Sequence, residues 1–277
     1  MNYKIVADSA SDILTLGSVA FESAPLKIMT DEREFVDNSE LDVAEMLTYL
    51  KGYKGRSHTA CPSSGEFLEA FGDAEHVFCI TITSNLSGSC NSARVAAKMY
   101  LEAHPERKVH IIDSLTAGAE MYIIVEKLVE LCEGGDDFEA VVEKIDDYAL
   151  NHTRLLFALE SMHNLANNGR ISHLTAKMAG ILGIRAIGRA SDVGTLEMIC
   201  KSRGAQAAAA DMLKNMIGDG YKGGKCRIHN AQNLTAANLL LTKIKEAFPD
   251  AEVVIGDTRG LCSFYAEAGG LMVGFEI

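Results

Sequence analysis

Residues 80–93 read ITITSNLSGSCNSA: an apolar strand pattern ends in hydroxyl side chains and one glycine, and a helix pattern follows. Two other predicted strands end in similar polar pairs, residues 3–7 in Asp8-Ser9 and residues 109–112 in Asp113-Ser114. Ligands of open parallel sheets collect beyond the carboxyl ends of the strands. Three polar strand ends therefore predict one ligand site at that edge of a parallel sheet.

The loop inside this stretch has the chemistry of an anion site. The hydroxyls of Thr83, Ser84 and Ser87, the backbone at Gly88 and the positive end of the following helix all favour a carboxylate or a phosphate. The plainer interpretation is that Ser87 only caps that helix. Thr59, in the stretch TACPSS (residues 59–64), supplies a second hydroxyl for the same crevice or is a simple turn residue.

Strand and helix patterns alternate through the first half of the chain, which is typical of a parallel α/β sheet. A glycine-rich break at residues 134–137 and hairpin spacing after residue 155 predict two domains, residues 1–150 and 151–277. The fold class is therefore α/β, with an N-terminal parallel α/β sandwich and a C-terminal α/β domain whose sheet is mixed or antiparallel. Strands are predicted near residues 3–7, 26–29, 34–36, 77–82, 109–113, 184–190, 195–201, 226–230, 251–256 and 270–276. Helices are predicted near residues 40–51, 63–72, 90–103, 116–132, 138–150, 204–217 and 234–248, with capping boxes at SELD (39–42) and SSGE (63–66).

Composition restricts the function classes. The formal charge of -12 argues against nucleic acid, whose phosphates are neutralised by lysine and arginine. We find neither an apolar run of membrane-spanning length nor a secretory signal, so the cytoplasm is the expected compartment. Seven cysteines without a CxxC pair indicate reduced thiols rather than disulfides or zinc.

Several catalytic and cofactor motifs are absent from the sequence. It contains no GxSxG elbow, no complete phosphate-binding P-loop, no GxGxxG after the first strand and no HExxH. A metal held only by carboxylates would have to use Asp8, Asp12 and Asp113, but aspartates at strand ends more often cap turns and helices. We therefore predict no metal site.

A tight turn at residues 167–172, NNGRIS, carries Arg170 just before a predicted helix. An arginine aimed inward gives a charge-assisted hydrogen bond to a carboxylate, whereas a lone surface arginine has no such role. The following run, residues 178–184, is apolar with small residues that let a ligand or another chain approach, although core packing also explains it.

Taken in order, these motifs resemble those of the DegV family, and the resemblance spans nearly the whole chain. The matching stretches are DSASD (8–12), TACPS (59–63), TSNLSGS (83–89), IDS (112–114), NGRIS (168–172) and KSRG (201–204).

The resemblance implies a two-domain protein that is not itself an enzyme, and so has no catalytic residues, and that holds a long-chain fatty acid in a buried tunnel, with the carboxylate between the domains. Thr59 and Ser87, or Ser84 in a shifted register, would contact that carboxylate, and Arg170 would support them. The bound fatty acid is then the only ligand, with no cofactor. The family presents the acid to a separate fatty acid kinase, which forms an acyl-phosphate for phospholipid synthesis; Arg203 matches a docking position, and membrane contact is expected to be transient.

The sequence departs from the family pattern near its end. A glutamate, Glu267, stands where the family carries a histidine that reaches the carboxylate. Two carboxylates in an apolar pocket do not both ionise cheaply. Three arrangements follow: they share a proton, Glu267 turns away, or the ligand is not a plain fatty acid. Residues 204–208, after Arg203, also lack the basic residues common in the family.

Two other hypotheses remain at this stage. One is an enzyme in which Asp8, Asp113 and the hydroxyl loops hold a phosphorylated substrate while Glu267 acts as general acid or base. The other is a ligand sensor or scaffold that has lost lipid transfer.

Overall fold

The computed structural model describes residues 3–17, 19–176 and 183–277. Its strands are β1 (Tyr3–Asp8), β2 (Phe21–Ala24), β3 (Lys27–Thr30), β4 (Glu34–Val36), β5 (Ser57–Ala60), β6 (His76–Thr81), β7 (Lys108–Asp113), β8 (Thr153–Leu159), β9 (Ile184–Ala190), β10 (Leu196–Arg203), β11 (Lys225–Asn230), β12 (Glu252–Asp257) and β13 (Leu271–Glu276). Its helices are α1 (Val43–Gly52), α2 (Ser64–Phe71), α3 (Ser89–Ala103), α4 (Ala119–Glu133), α5 (Phe138–Asn151), α6 (His163–Asn167), α7 (His173–Ala176), α8 (Ala205–Gly218), α9 (Leu234–Ala247) and α10 (Gly260–Ala266).

The first sheet has the strand order β2-β1-β6-β7, and every pairing in it is parallel. Its central strands β1 and β6 are largely buried on both faces because helices cover both sides. Helices α2 and α3 pack on one face through Phe67, Phe71 and Tyr100, and α4 and α5 pack on the other. The predicted parallel α/β sandwich is confirmed; the short edge strand β2 was not predicted, because FESA has no apolar alternation to distinguish it from a loop.

A second, small antiparallel sheet has the order β4-β3-β5. The predicted hairpin at residues 26–36 forms its β3–β4 pair. Residues 57–60, SHTA, are polar and are not predicted as a strand, yet they form β5 and place Thr59 opposite Ile28. Phe264 of α10 is fully buried against this sheet and α1, so a helix from the end of the chain completes the N-terminal half.

The third sheet has the order β10-β9-β8-β13-β11-β12 and is mixed, since only β11 and β12 pair in parallel. Helices α8 and α9 cover one face with apolar side chains. The other face meets α4, where Arg227 of β11 pairs with Glu126 at 2.8 Å and the ring of Tyr122 stands edge-on to His229. Helix α4 thus lies between the two large sheets, which explains why it is buried nearly all round.

The helix starts predicted from capping boxes and apolar patterns are only partly confirmed. The Ser63–Glu66 capping box is confirmed. The predicted box at Ser39 is wrong: α1 begins at Val43, because the Asp42 carboxylate accepts the Glu45 N–H at 2.9 Å and serves as its cap. Helix α10 was not predicted, and α4 begins at Ala119 rather than at residue 116.

The seven cysteines are all free. Of the apolar run at residues 178–184, residues 178–182 lie outside the described part of the chain. Across residues 3–17, 19–176 and 183–277, no helix combines the length and the apolar character needed to cross a bilayer.

Candidate functional site

A cavity lies where the first sheet's carboxyl edge, the small sheet and the third sheet meet. Its wall takes residues from both halves of the chain and is largely apolar. The apolar lining among the described residues consists of Leu26, Ile82, Leu86, Ala117, Leu155, Phe157, Leu159, Leu165, Ala190, Leu196, Leu261, Ala266 and Met272.

Arg170 supplies a positive charge to this wall. It follows Gly169, whose φ of +73° turns the chain sharply after α6. The guanidinium donates to two backbone carbonyls, Leu86 O at 3.1 Å and Asn168 O at 2.5 Å, and lies 5.6 Å from the centre of the Tyr265 ring. No carboxylate in the described part of the chain pairs with it. The arrangement leaves a fixed cation without a counter-anion at an apolar cavity.

Thr59 and Tyr265 form a hydroxyl pair beside Arg170. Their oxygens are 2.7 Å apart, and both residues line the cavity. Burial raises the pKa of Tyr265, while its bond to Thr59 and the charge of Arg170 oppose that rise, so the phenol keeps its proton at neutral pH. Because either oxygen is the donor, the pair uses one hydrogen internally and retains a second for a ligand.

Ser87 lies just before α3, whose N-cap position is Gly88. Its Oγ accepts the backbone N–H of Ser89 at 3.2 Å as α3 begins, and it also lines the cavity. Accepting that bond leaves the hydroxyl hydrogen available to a ligand. Gly88 precedes the helix, and a Cβ there would lie 3.2 Å from Cys61 Sγ, so the close approach of the two loops favours glycine. Ser84 is exposed, lies outside the cavity lining, and donates its N–H to Asp113 Oδ1 at 3.0 Å.

The strand-end carboxylates bind backbone and loop donors. Buried Asp8 accepts from the N–H groups of Ala10 at 3.2 Å and Ile82 at 2.9 Å, and from the Ser89 hydroxyl at 2.5 Å. Burial raises the pKa of Asp8 to about 7. Asp113 likewise holds the Ser84 N–H. These carboxylates hold the loop of residues 82–89 in shape from behind and are not in the cavity lining.

The two serines that follow them also accept backbone N–H groups. Ser9 Oγ accepts the Leu26 N–H at 3.0 Å, and Ser114 Oγ accepts the Thr116 N–H at 3.2 Å. Where β6 and β7 end, Thr83 and Thr116 are the polar residues that reach the cavity.

Glu267 ends α10 with a φ of +53°, and its carboxylate accepts the Asn164 N–H at 3.0 Å at the start of α6. It is not among the described residues that line the cavity, whereas Tyr265 and Ala266, just before it, are. Tyr265 was not identified from the sequence, because the short helix α10 that turns it inward was not predicted.

Arg203 is the last residue of β10 and is exposed. A search of residues 3–17, 19–176 and 183–277 finds no group of three or more metal-ligating side chains. Asp12 binds His229 Nδ1 at 2.7 Å and the Arg259 N–H at 2.7 Å, so its oxygens serve the contact between the two halves of the chain.

Comparison with known proteins places this cavity in context. The family model for DegV, described as an uncharacterised protein family, matches residues 2–276. A DegV domain-containing protein of Streptococcus pneumoniae is 43% identical over 281 residues, with both chains covered completely.

Two solved structures are similar over the whole chain. A DegV family protein from Eubacterium eligens, loaded with heptadecanoic acid, is 44% identical with a TM-score of 0.97, covering 99% of each chain. The fatty acid kinase (Fak) B3 protein of Streptococcus pneumoniae, loaded with linoleic acid, is 43% identical with a TM-score of 0.98, covering 100% of each chain.

Proposed function

The chain belongs to the DegV family, and on that premise we propose that it binds a long-chain fatty acid in the cavity and presents its carboxylate to a separate fatty acid kinase. The kinase would form the acyl-phosphate that enters phospholipid synthesis, so this chain would act as a carrier rather than as an enzyme. It would work in the cytoplasm with only transient membrane contact. Similar proteins loaded with heptadecanoic and linoleic acids support the ligand class.

The observation that carries the proposal is the cation of Arg170 at a largely apolar cavity, where no carboxylate in the described part of the chain pairs with it. A fatty acid matches this arrangement, since it has one negative charge on a long apolar chain. Arg170 would supply the charge, and the spare hydroxyl hydrogens of the Thr59–Tyr265 pair and of Ser87 would supply oriented donors. Charge-assisted bonds of this kind are the strong ones in proteins.

The apolar tail and the carboxylate of the ligand should contribute different amounts of binding free energy. At about 0.8 kcal/mol per buried CH₂, some 14 methylenes contribute roughly 11 kcal/mol before ordering costs. Each hydrogen bond to the carboxylate adds only about 1.5–3 kcal/mol. The tail would therefore supply most of the affinity, and the polar residues would fix where the carboxylate stands.

Glu267 fits this proposal as a positioning residue. Its carboxylate accepts the Asn164 N–H near the start of α6, the helix that leads into the Arg170 turn. Of the three arrangements considered from the sequence, we propose the one in which this carboxylate turns away. The ligand then needs no shared proton and remains a plain fatty acid.

The enzyme alternative has less support. Asp8 and Asp113 use their oxygens on backbone N–H groups and a hydroxyl, and Glu267 caps α6. None of the three lines the cavity described above. A sensor or scaffold role would leave the cavity filled but would not deliver the acid to a kinase.

Native mass spectrometry of protein purified from bacterial cells tests ligand binding. The carrier predicts a bound mass equal to that of a long-chain fatty acid, released on denaturation. Protein that stays empty when mixed with stearic, oleic or linoleic acid, and that instead turns over phosphate esters, would support the enzyme.

Kinase delivery needs its own test, and Arg203 supplies it. With a fatty acid kinase catalytic subunit and ATP, we expect Arg203→Glu to weaken complex formation and slow acyl-phosphate formation while fatty-acid affinity stays unchanged. Loss of lipid binding in the same variant would count against a docking role. A loaded wild-type protein that no kinase accepts would favour the sensor.

A further inference from the structure

Phe157, in the middle of β8, lies on the cavity wall over a glycine of the neighbouring strand. It pairs with Gly188 of β9, and both residues are buried. A Cβ built on Gly188 would meet the far end of the phenyl ring, 2.4 Å from Cζ and 2.6 Å from Cε2. The ring therefore occupies the volume that any other residue at position 188 would fill. A glycine inside a strand commonly marks such a close approach.

Two other side chains of the lining are accommodated in the same way. A Cβ at Gly118 would lie 2.5 Å from Met272 Cε, and a Cβ at Gly194 would lie 2.2 Å from Thr83 Oγ1. Both of these glycines have positive φ, +59° and +77°, so their backbone also requires glycine. Gly188 lies in ordinary strand conformation, so the reasons for a glycine there are its two close neighbours, the Phe157 ring and the backbone carbonyl of Glu197 in β10.

We propose that Gly188 determines the width of the middle of the cavity, and through it which acyl chains fit. By letting the Phe157 ring lie back against β9, it would keep the space between Leu155 and Leu159 wide. Leu155, Phe157 and Leu159 are every second residue of β8, so their side chains share one face of the strand and Phe157 is the middle one. A saturated chain extends straight, whereas a cis double bond fixes a bend that needs width at mid-chain. The inference rests on the proposed function and specifies its substrates as cis-unsaturated as well as saturated acids.

The test is competitive loading of delipidated protein with equal amounts of linoleic and stearic acid, read by native mass spectrometry. Gly188→Ala pushes the ring into the cavity, so we expect the bound linoleate-to-stearate ratio to fall about tenfold, the discrimination that one methylene commonly gives in an apolar pocket. Gly218→Ala is the matched control: a Cβ there meets nothing within 4 Å, and the ratio should stay at the wild-type value.

A double-mutant comparison isolates the ring as the cause. Phe157→Leu removes the ring atoms that meet position 188, so adding Gly188→Ala to it should leave the ratio unchanged. An unchanged ratio in the single Gly188→Ala variant, or an equal fall in the Phe157→Leu background, overturns the inference.

The new methyl group would also lie 2.4 Å from the Glu197 carbonyl, so thermal unfolding must show that each variant is folded. If Gly188→Ala does not fold, Phe157→Trp narrows the same space from β8 and must lower the ratio; no change overturns the inference. Wild-type protein that loads neither acid contradicts the proposed function itself, which separates the two failures.

Discussion

Two polar regions at the sheet edges contain similar residue types but use them differently. Behind the loop of residues 82–89, the Asp8 carboxylate accepts two backbone N–H groups and one hydroxyl, and its hydrogen-bonding capacity is used within the protein. At the cavity, Arg170 donates to two backbone carbonyls and pairs with no carboxylate among the described residues, and the Thr59–Tyr265 pair retains one donor. Polar side chains at a strand end therefore identify a ligand site only where charge or donors remain unused.

Removing the cation should have the largest effect on binding. We expect Arg170→Met to weaken fatty-acid binding about 1,000-fold, roughly 4 kcal/mol, because the buried carboxylate would lose its opposite charge. Displacement of a fluorescent fatty acid measures the change. The control is Arg203→Glu, at an exposed arginine, which should bind the fatty acid as tightly as the wild type does. An equal loss of affinity in both variants would mean that Arg170 has no special role.

Removing a capping carboxylate should affect stability instead of binding. Asp8→Ala leaves the N–H groups of Ala10 and Ile82 and the Ser89 hydroxyl without their acceptor, so we expect the free energy of unfolding to fall by about 3 kcal/mol. Urea unfolding gives this value, and fatty-acid affinity of the folded variant should remain within about threefold of wild type. An Asp8→Ala variant that keeps its stability but no longer binds the fatty acid would show instead that Asp8 serves binding.

Asp37 is another buried carboxylate that accepts backbone N–H groups, and its titration should make the stability of the protein depend on pH. Its carboxylate accepts the N–H groups of Gly260 and Leu261, each at 2.8 Å, and burial raises its pKa from 3.8 to about 6. The native state then holds the proton more tightly, so the stabilisation is complete below about pH 4 and is lost as pH rises through 6. That change corresponds to up to roughly 3 kcal/mol.

Urea unfolding between pH 4 and 7 measures this dependence. The wild type should lose stability relative to Asp37→Asn across the window, since asparagine does not titrate. Parallel curves for the two proteins would show that Asp37 keeps an ordinary pKa.

The smallest expected effect on fatty-acid binding comes from Ser87, and it should distinguish Ser87 from Ser84 in the same loop. Ser87→Ala removes a hydroxyl from the cavity wall and should weaken fatty-acid binding about tenfold, the value of one hydrogen bond to a charged group. Ser84→Ala, at an exposed position outside that wall, should change it less than about twofold. A larger loss from Ser84 would favour the shifted register.

Much of the fold was predictable because periodicity and strand ends report it directly. The parallel sheet, the hairpin at residues 184–201 and the loop carrying Ser87 follow from those patterns. Thr59 was expected in a loop but lies in β5, since a polar strand carries no apolar alternation. Tyr265 was missed because α10 is short and its direction depends on packing against the small sheet.

The contacts of Asp8 and Arg170 could not be predicted from the sequence for a different reason. Whether a polar group is already paired depends on partners far along the chain, such as Ile82 for Asp8 and Leu86 for Arg170. No local pattern encodes those distances.

The central claim is that Arg170 and the adjacent hydroxyls hold an ionised carboxylate, and carbon-13 NMR of carboxyl-labelled stearic acid bound to the protein tests it directly. An opposite charge nearby favours the ionised form. We therefore predict that the carboxyl resonance of the bound acid stays at its ionised position to lower pH than that of the free acid, and that this protection disappears in Arg170→Met. A bound carboxyl that takes up its proton at higher pH than the free acid, equally in both proteins, would contradict the account.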